Sequence, residues 1–407
     1  MHEKSHDNAV RPIDTLLALC ARAQGHPAQH DSLARLARQL PSWAGIAARA
    51  EAHGLIPLLS SHLHAAGIAL PGAIKQQVQG YYLQHAHATR AREQVLAELL
   101  TLYQGAGIDV LVLKGAALAQ LVYPQPVLRP MRDIDILVRA SDVYRAHALL
   151  AEIGFTPPSS PMAGLAPDHH HLTAIKRVVD GFSVSVEVHQ ALDINQPGRP
   201  PREYAELAPA AQPLTIGGVA THTLGCEDTL WHIYRHAFCM PAAYEPLRLI
   251  WVADLVSLVE AWLDRIDWER VQRQYPAAYA LLPLLDALTP WGDAARARLR
   301  AEAPAPPLLP AELERQRWTA QLEETLGYVA DLRAQMTRLQ AMLGEQDTAL
   351  ALWHAELDAR AGYIAQLEAT VDVKNAHIHD LEARLRQREA ELVRARAPRW
   401  WWKRRRD

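Results

Sequence analysis

Apolar residues recur at helical spacing in the N-terminal part of the chain, as in PIDTLLALCARA and REQVLAELLTLYQGAG. Residues three and four positions apart share one face of a helix, so this pattern predicts helices that each bury one stripe. Gly105 and Gly107 end the second stretch, since glycine is common where a helix stops. We therefore predict an N-terminal helical region over residues 1–105.

The pattern changes after this region, where short runs rich in β-branched residues replace the helical spacing. IDVLVL and DIDILV predict two strands, and GAALAQLVY between them predicts a helix. HLTAIKRVV and FSVSVEVH predict two further strands around Asp180-Gly181, a dipeptide typical of hairpin turns. With a helix over DVYRAHALLAEIG and a short hairpin at Gly217-Gly218, these elements predict an α/β core over residues 106–225. Helical spacing returns in residues 226–302 and predicts a second helical region.

A heptad pattern dominates the C-terminal part, after a proline-rich linker at residues 303–310. Apolar residues recur every seven positions from Leu322 to Leu392, and many repeats carry a second apolar residue three positions further on. This pattern predicts a coiled coil over residues 311–396. The remaining d positions carry polar residues fourteen positions apart, which cost stability but can fix the register and the oligomeric state: Gln346, Arg360, Lys374 and Arg388.

Such a long apolar stripe is unfavourable in water, so it needs a partner helix. We therefore predict self-association through the coiled coil, giving a homo-oligomer and most simply a parallel dimer. A single long helix that packs on its own globular domain is the alternative.

Composition and charge narrow the class of protein. The 407 residues carry a net charge of −3, which gives the chain as a whole no attraction to nucleic acid or membrane. The three cysteines form no CxxC pair, which argues against a thiolate zinc site or a disulfide framework. The most apolar helical run, LIWVADLVSLVEAWL, contains Asp254 and Glu260, and the N-terminus lacks the apolar core of a signal peptide. We expect a soluble, cytoplasmic protein.

The strand DIDILV carries carboxylates at alternate positions, Asp133 and Asp135. Alternate residues of a strand project from the same face, so the two acids lie side by side. Neighbouring carboxylates repel each other unless a cation lies between them, and Mg²⁺ prefers carboxylates together with substrate phosphates. Glu187, on the polar face of FSVSVEVH, offers a third carboxylate for a site with two metal ions. The alternatives are a solvated strand edge for the aspartates and an exposed sheet face for Glu187.

The residues that precede the aspartates predict a phosphate-binding turn. VLVLKG is a strand that runs into a helix, with Lys114 and Gly115 at the turn. A helix N-terminus offers backbone N–H groups and a partial positive charge, and glycine lets a phosphate approach closely. Arg129 and Arg132, just before the aspartates, can bind phosphate oxygens. We therefore predict that these four residues bind the phosphate groups of a ligand.

Histidines add weaker candidates. His189 can orient Glu187 or bind substrate, although a lone histidine is more often structural. His232 and His236 share one helix face in LWHIYRHAF, but no glutamate stands between them to give the HExxH motif of zinc proteases.

Together these motifs resemble the DNA polymerase β-type nucleotidyltransferase superfamily and, within it, the uncharacterised nucleotidyltransferase family of bacteria. The resemblance covers about residues 30–275 and leaves the coiled coil outside. It implies an α+β fold, in which helical segments flank a small mixed β-sheet, and the long C-terminal coiled-coil helix is appended. It also implies that Asp133, Asp135 and Glu187 hold two Mg²⁺ ions. The matching segments are LKGAAL, Tyr123-Pro124, RPMRDIDILV, Gly154-Phe155, VEVH and LRLIWVADLVSL.

The resemblance implies an enzyme that transfers a nucleoside monophosphate from a nucleoside triphosphate to an acceptor hydroxyl. The acceptor stays open between sugar, small metabolite, protein and RNA. Ala116 departs from the superfamily, which has serine after the glycine, and this departure favours an alternative. In that alternative the chain is a non-catalytic scaffold, linked to envelope polysaccharide biosynthesis by the likeness of its fourteen-residue repeats to coiled coils appended to bacterial glycosyltransferases.

The C-terminal segment over residues 397–407 combines aromatic and basic side chains. Tryptophans favour membrane interfaces and basic residues are attracted to anionic lipids, at about 1 kcal/mol each. The segment therefore predicts a peripheral contact with the inner face of a membrane, with nucleic-acid binding and a merely solvated basic end as alternatives. The residues concerned are Trp400, Trp401, Trp402, Lys403, Arg404, Arg405 and Arg406.

Overall fold

A computed structural model describes residues 12–156, 172, 175–192, 201–239 and 247–299, together with residues 369, 374 and 375. The chain divides into two compact units, Met1–Val329 and Ala330–Asp407. The helices and strands below all belong to the first unit. The predicted linker, the C-terminal tail and nearly all of the predicted coiled coil lie outside the described residues.

From residue 12 onward, where the structure describes the chain, five helices form the N-terminal region. The second is capped by His26, whose ring nitrogen accepts a hydrogen bond from the backbone N–H of Gln29. The fifth is 34 residues long and extends from the helical region to the sheet. The helices are α1 (Pro12–Leu19), α2 (Pro27–Gln39), α3 (Ile46–Ala52), α4 (Ile56–Ala65) and α5 (Gly72–Gly105).

A six-stranded mixed sheet follows, with the order β3-β4-β2-β1-β8-β7. The pairs β2–β4 and β1–β8 are parallel and the other pairs are antiparallel. Both hairpins lie where the sequence predicts them, with positive φ at Asp180-Gly181 and at Gly217-Gly218. The strands are β1 (Leu111–Val112), β2 (Asp133–Leu137), β3 (Ile175–Val179), β4 (Phe182–His189), β7 (Gln212–Ile216) and β8 (Val219–Thr223), and β5 (Ala191–Leu192) pairs separately with β6 (Arg202–Glu203).

Helices connect the strands and continue beyond them. Among the described residues, no helix combines the length and apolar character that crossing a membrane requires. The helices within the sheet region are α6 (Lys114–Leu121), α7 (Val143–Leu149) and α8 (Tyr204–Leu207), and those after it are α9 (Cys226–Tyr234), α10 (Leu249–Ala261), α11 (Trp268–Gln274), α12 (Pro276–Leu285) and α13 (Asp293–Leu299).

The two helical regions share one hydrophobic core, in which α1 and α4 contribute with α10 and α12. A second core lies between α5, α7 and one face of the sheet, and it buries Ile134, Ile136 and Val186 completely. Because side chains alternate along a strand, burying these apolar residues places Asp133 and Asp135 on the opposite face. The fold therefore leaves the acidic face of β2 and β4 available for a site.

Candidate active site

Parallel pairing of β2 and β4 brings the predicted acids together. Asp135 lies opposite Glu187, and Asp133 lies opposite Ser185, so the three carboxylates share one face of the sheet. The ligand atoms of Asp135, Glu187 and His189 all lie within 4.8 Å of one another, a group that can hold a metal ion. Asp133 does not belong to this group of three ligands. Its charge nevertheless interacts with that of Asp135.

Asp135 is the centre of the site, and its side chain is 3% exposed. Its Oδ1 atom accepts a hydrogen bond from Lys114 Nζ at 2.7 Å and lies 2.9 Å from His189 Nε2. Lys114 begins α6 with φ of 46°, a left-handed backbone conformation that is rare for a residue with a side chain. Strained conformations of this kind are found at functional sites.

The three carboxylates of the site influence one another's pKa values. Burial and then the neighbouring charge of Asp135 raise the pKa of Asp133, and the same two causes raise the pKa of Glu187 to about 7. Burial alone would also raise the pKa of Asp135, but the Lys114 ammonium and the contact with His189 hold it well below its ordinary value. An elevated carboxyl pKa means that the ionised form is disfavoured. Because the pKa values of Asp133 and Glu187 stay raised beside Lys114, the site can accept further positive charge.

A divalent cation fits this donor set. Carboxylate oxygens are the ligands that Mg²⁺ prefers, and an imidazole nitrogen also binds transition metals. A cation between Asp133, Asp135 and Glu187 would reduce the repulsion that, after burial, raises the pKa values of Asp133 and Glu187. The structure thus brings together the predicted acids with Lys114, and it adds His189 to them.

Arg129 lies next to the turn at Gly115, but a protein carboxylate holds its guanidinium. Its guanidinium is buried and makes a two-pronged contact with Asp254 of α10, with Nε–Oδ1 at 2.7 Å and Nη2–Oδ2 at 2.6 Å. Tyr123 donates a hydrogen bond to the same carboxylate at 2.7 Å, and Arg129 Nη1 donates to the carbonyl of Pro130. These contacts occupy the guanidinium, so the structure favours a structural role for Arg129 over the phosphate contact that the sequence predicts.

Gly115 has a packing role that the sequence does not reveal. A Cβ atom built on Gly115 would lie 2.9 Å from Arg129 Nη1 and 3.1 Å from Arg129 Cζ. Only glycine therefore fits above the guanidinium without a shift of the turn. Arg132 differs from Arg129 in being exposed, one residue before Asp133.

His232 lies close enough to the site for the charges of Lys114, His189 and Asp135 to act on it, although the sequence does not predict a role for it there. It lies in α9, which packs on α6, and its charge state responds to Lys114, His189 and Asp135. Burial, followed by the charge of Lys114, lowers the pKa of His232 well below its ordinary value. A π-helical turn, Arg235–Cys239, follows α9, and such turns are frequent at functional sites. In the sequence, the i, i+4 spacing of His232 and His236 was the feature that could have pointed to His232 as a residue near the site.

Residues 39–289 match the sequence profile of a family described as "Uncharacterised nucleotidyltransferase". The chain belongs to this family. The resemblance of the KG, DID and VEVH segments therefore predicts the family correctly. The matched region contains all of the carboxylates, Lys114 and α10.

Several solved structures are similar to the chain at low identity. An antigenic nucleotidyltransferase-like protein from Paracoccidioides brasiliensis is 16% identical, covers 54% of this chain and 96% of its own, and has a TM-score of 0.37. ANT(2")-Ia in complex with adenylyl-2"-tobramycin is 16% identical over 46% of this chain and 97% of its own, with a TM-score of 0.30. The lincosamide antibiotic adenylyltransferase LnuA is 15% identical over 41% of this chain and 96% of its own, with a TM-score of 0.28. No curated protein sequence matches the chain significantly.

Proposed function

We propose that the protein is a metal-dependent nucleotidyltransferase that transfers a nucleoside monophosphate from a nucleoside triphosphate to an acceptor hydroxyl. The observation that carries this proposal is the β2–β4 register, which sets Glu187 beside Asp135 next to Lys114. Had Glu187 faced away from the aspartates, the scaffold alternative would be favoured. The observed convergence instead supports the enzyme.

The proposed reaction is one in-line displacement. The acceptor oxygen forms a bond to the α-phosphorus, the bond from that phosphorus to the bridging oxygen breaks, and pyrophosphate leaves. Glu187, the most accessible of the clustered ligands at 21% exposure, receives the hydroxyl proton directly or through water. Lys114, which is paired with Asp135, adds a positive charge that opposes the negative charge of the phosphates.

Asp133, Asp135 and Glu187 would hold the divalent cations. Bound there, they would supply Lewis-acid neutralisation of the phosphate charge. His189 contributes differently, because its contact with Asp135 fixes the orientation of that carboxylate.

Binding is the first test, because it needs no acceptor. The thermal unfolding of the full chain is measured with each nucleoside triphosphate, with and without Mg²⁺. We expect at least one triphosphate to raise the melting temperature in a Mg²⁺-dependent manner, and Asp133→Ala to abolish this rise. Asp264→Ala serves as a matched control, since Asp264 is exposed and distant in sequence from the site.

Turnover is the second test. Transfer of an α-³²P label to pools of sugars, small metabolites, protein or RNA is expected in the wild type and lost in Asp133→Ala. If no triphosphate shifts the melting temperature and Asp133→Ala behaves as the wild type, the proposal is wrong.

A further inference from the structure

The carboxylate of Asp135 is already occupied by groups of the protein itself. Its Oδ1 atom accepts a hydrogen bond from Lys114 Nζ at 2.7 Å and lies 2.9 Å from His189 Nε2. The side chain of Glu187 also makes a hydrogen bond with this carboxyl group. Because Asp135 is buried, these protein groups account for most of its surroundings. A metal ion that binds to Asp135 must therefore replace one of these contacts.

Lys114 brings a positive charge to Asp135. Burial alone would lower the pKa of the Lys114 ammonium, but the charges of Asp135 and then Asp133 raise this pKa above its ordinary value, so the side chain stays charged. An ammonium and a divalent cation that share one buried carboxylate repel each other, because the low dielectric of the interior strengthens charge interactions. Lys114 and a metal ion therefore compete for Asp135.

Lys114 is also the contact that can move most easily. Its side chain is 16% exposed, whereas that of His189, at the end of β4, is only 1% exposed. A lysine side chain is a flexible four-carbon stem with three rotatable N–H donors. Lys114 is the first residue of α6, and the backbone N–H groups of a helix N-terminus favour phosphate. When Nζ leaves Asp135, its stem therefore keeps it at the helix end where phosphates are expected.

We propose that Lys114 is a built-in counter-ion of Asp135, which competes with the metal ion in the nucleotide-free protein and moves to the phosphates when a nucleoside triphosphate binds with its metal. The inference rests on the proposed function. The exchange keeps a counter-charge on the buried carboxylate at both stages, and an uncompensated buried charge is strongly unfavourable. Metal binding without nucleotide is then weak, because the ammonium must leave Asp135 with no phosphate to receive it.

Metal binding by the nucleotide-free full chain tests this competition. Mn²⁺ is the probe, and the unbound ion is measured by electron paramagnetic resonance. We expect Lys114→Met to bind Mn²⁺ roughly 10-fold or more tightly than the wild type, because the competing charge is gone. Lys114→Arg keeps the charge and should stay within about threefold of the wild type.

Lys176→Met is the matched control, because it removes an exposed ammonium from the same face of the sheet. Lys176 of β3 lies opposite Ser185, which in turn lies opposite Asp133. The variant should bind Mn²⁺ within about threefold of the wild type, since salt screens an exposed charge. If Lys114→Met binds Mn²⁺ no more tightly than Lys176→Met, the inference is wrong.

Chemical labelling of the wild type gives a second measurement, which decides alone if Lys114→Met does not fold. The protein is acetylated briefly, and the label on Lys114 and on Lys176 is measured by mass spectrometry. We expect saturating Mn²⁺ to increase the labelling of Lys114 severalfold and tripolyphosphate with Mn²⁺ to reduce it again, while Lys176 stays unchanged. If neither addition changes the labelling of Lys114, the inference is wrong, and a Mg²⁺-dependent thermal shift with a triphosphate still supports the proposed function. If the wild type binds neither Mn²⁺ nor any triphosphate, the proposed function falls, and the inference falls with it.

Discussion

Lys114 Nζ lies 2.7 Å from Asp135 Oδ1, although the two residues are 21 positions apart in the chain. The contact arises because β1 pairs antiparallel with β2 and α6 starts directly after β1, so the first residue of α6 reaches the middle of β2. The backbone N–H of Leu113 donates to the carbonyl of Asp135 at 2.9 Å and fixes this approach. The ammonium and the buried carboxylate form a pair before any ligand binds.

The two aspartates should therefore differ in their effect on stability. Asp135→Ala leaves the Lys114 ammonium buried without its carboxylate, which typically costs about 3–5 kcal/mol. Asp133→Ala removes a half-buried carboxylate that repels Asp135, so the metal-free protein should unfold at the same or a higher urea concentration than the wild type. Urea denaturation in the presence of a chelator measures both. Equal destabilisation by the two substitutions would contradict the assigned charge arrangement.

Gly115→Ala tests the close packing of the α6 turn on Arg129. The added methyl group would meet a guanidinium that Asp254 holds in place, so the turn itself must shift. We expect a loss of about 1–3 kcal/mol in the free energy of unfolding, as for other overpacked sites. Gly80→Ala is the control, because Gly80 lies in α5 with no heavy atom within 4 Å of an added Cβ. It should stabilise the protein by about 0.5–1 kcal/mol. Similar effects of the two substitutions would contradict the packing role.

The Arg129–Asp254 pair should show strong energetic coupling. Each single substitution, Arg129→Met or Asp254→Ala, leaves one buried charge without its partner and should cost about 3–5 kcal/mol. The double variant removes both charges, so it should cost clearly less than the two single losses combined. A double-mutant cycle from urea denaturation gives this coupling, and additive losses would exclude it.

The burial of His62 leads us to expect a loss of folding stability in acid. Burial lowers the pKa of His62 to about 4, although its hydrogen bond to the carbonyl of Arg22 acts in the opposite direction. The unfolded chain therefore binds the proton at a higher pH than the folded chain, and stability is lost as the pH falls from about 6.5 to about 4. Between pH 7 and pH 4.5 this loss amounts to about 2–3 kcal/mol.

His62→Gln should remove this part of the pH dependence. The free energy of unfolding of the variant, measured at both pH values, should fall by correspondingly less than that of the wild type. His64→Gln is the control, since His64 is exposed on the same helix and should leave the dependence unchanged. An unchanged pH dependence in His62→Gln would show that His62 is not the group responsible.

The heptad pattern predicts assembly through residues 311–396, which lie almost entirely outside the described residues. Sedimentation at micromolar concentration should show the full chain as a dimer and a chain that ends at Pro310 as a monomer. Leu357→Asp in the full chain places a charge at an a position and should weaken the dimer. Two monomeric species would instead favour the single long helix.

The sequence by itself predicted the six strands of the mixed sheet and pointed to the three acids as candidate metal ligands. Strand periodicity placed Asp133, Asp135 and Glu187 on polar faces, and the dipeptides at positions 180 and 217 marked both hairpins. These features depend on neighbours within a few residues, so a local pattern is sufficient to reveal them. The parallel partner of β2 did not follow from those patterns, because register is fixed by how the apolar faces pack.

The tertiary structure decided which side chains meet. It placed Lys114 Nζ and His189 Nε2 against Asp135 Oδ1, and it paired Arg129 with Asp254. Partners such as Arg129 and Asp254 lie 125 positions apart. A charged residue pairs with an opposite charge that the fold brings within a few ångströms of it. The fold itself is decided more by the burial of apolar surface than by charge. The chemistry of single residues is thus readable from the sequence, whereas their assignment to ligand or to protein is fixed only by the packed chain.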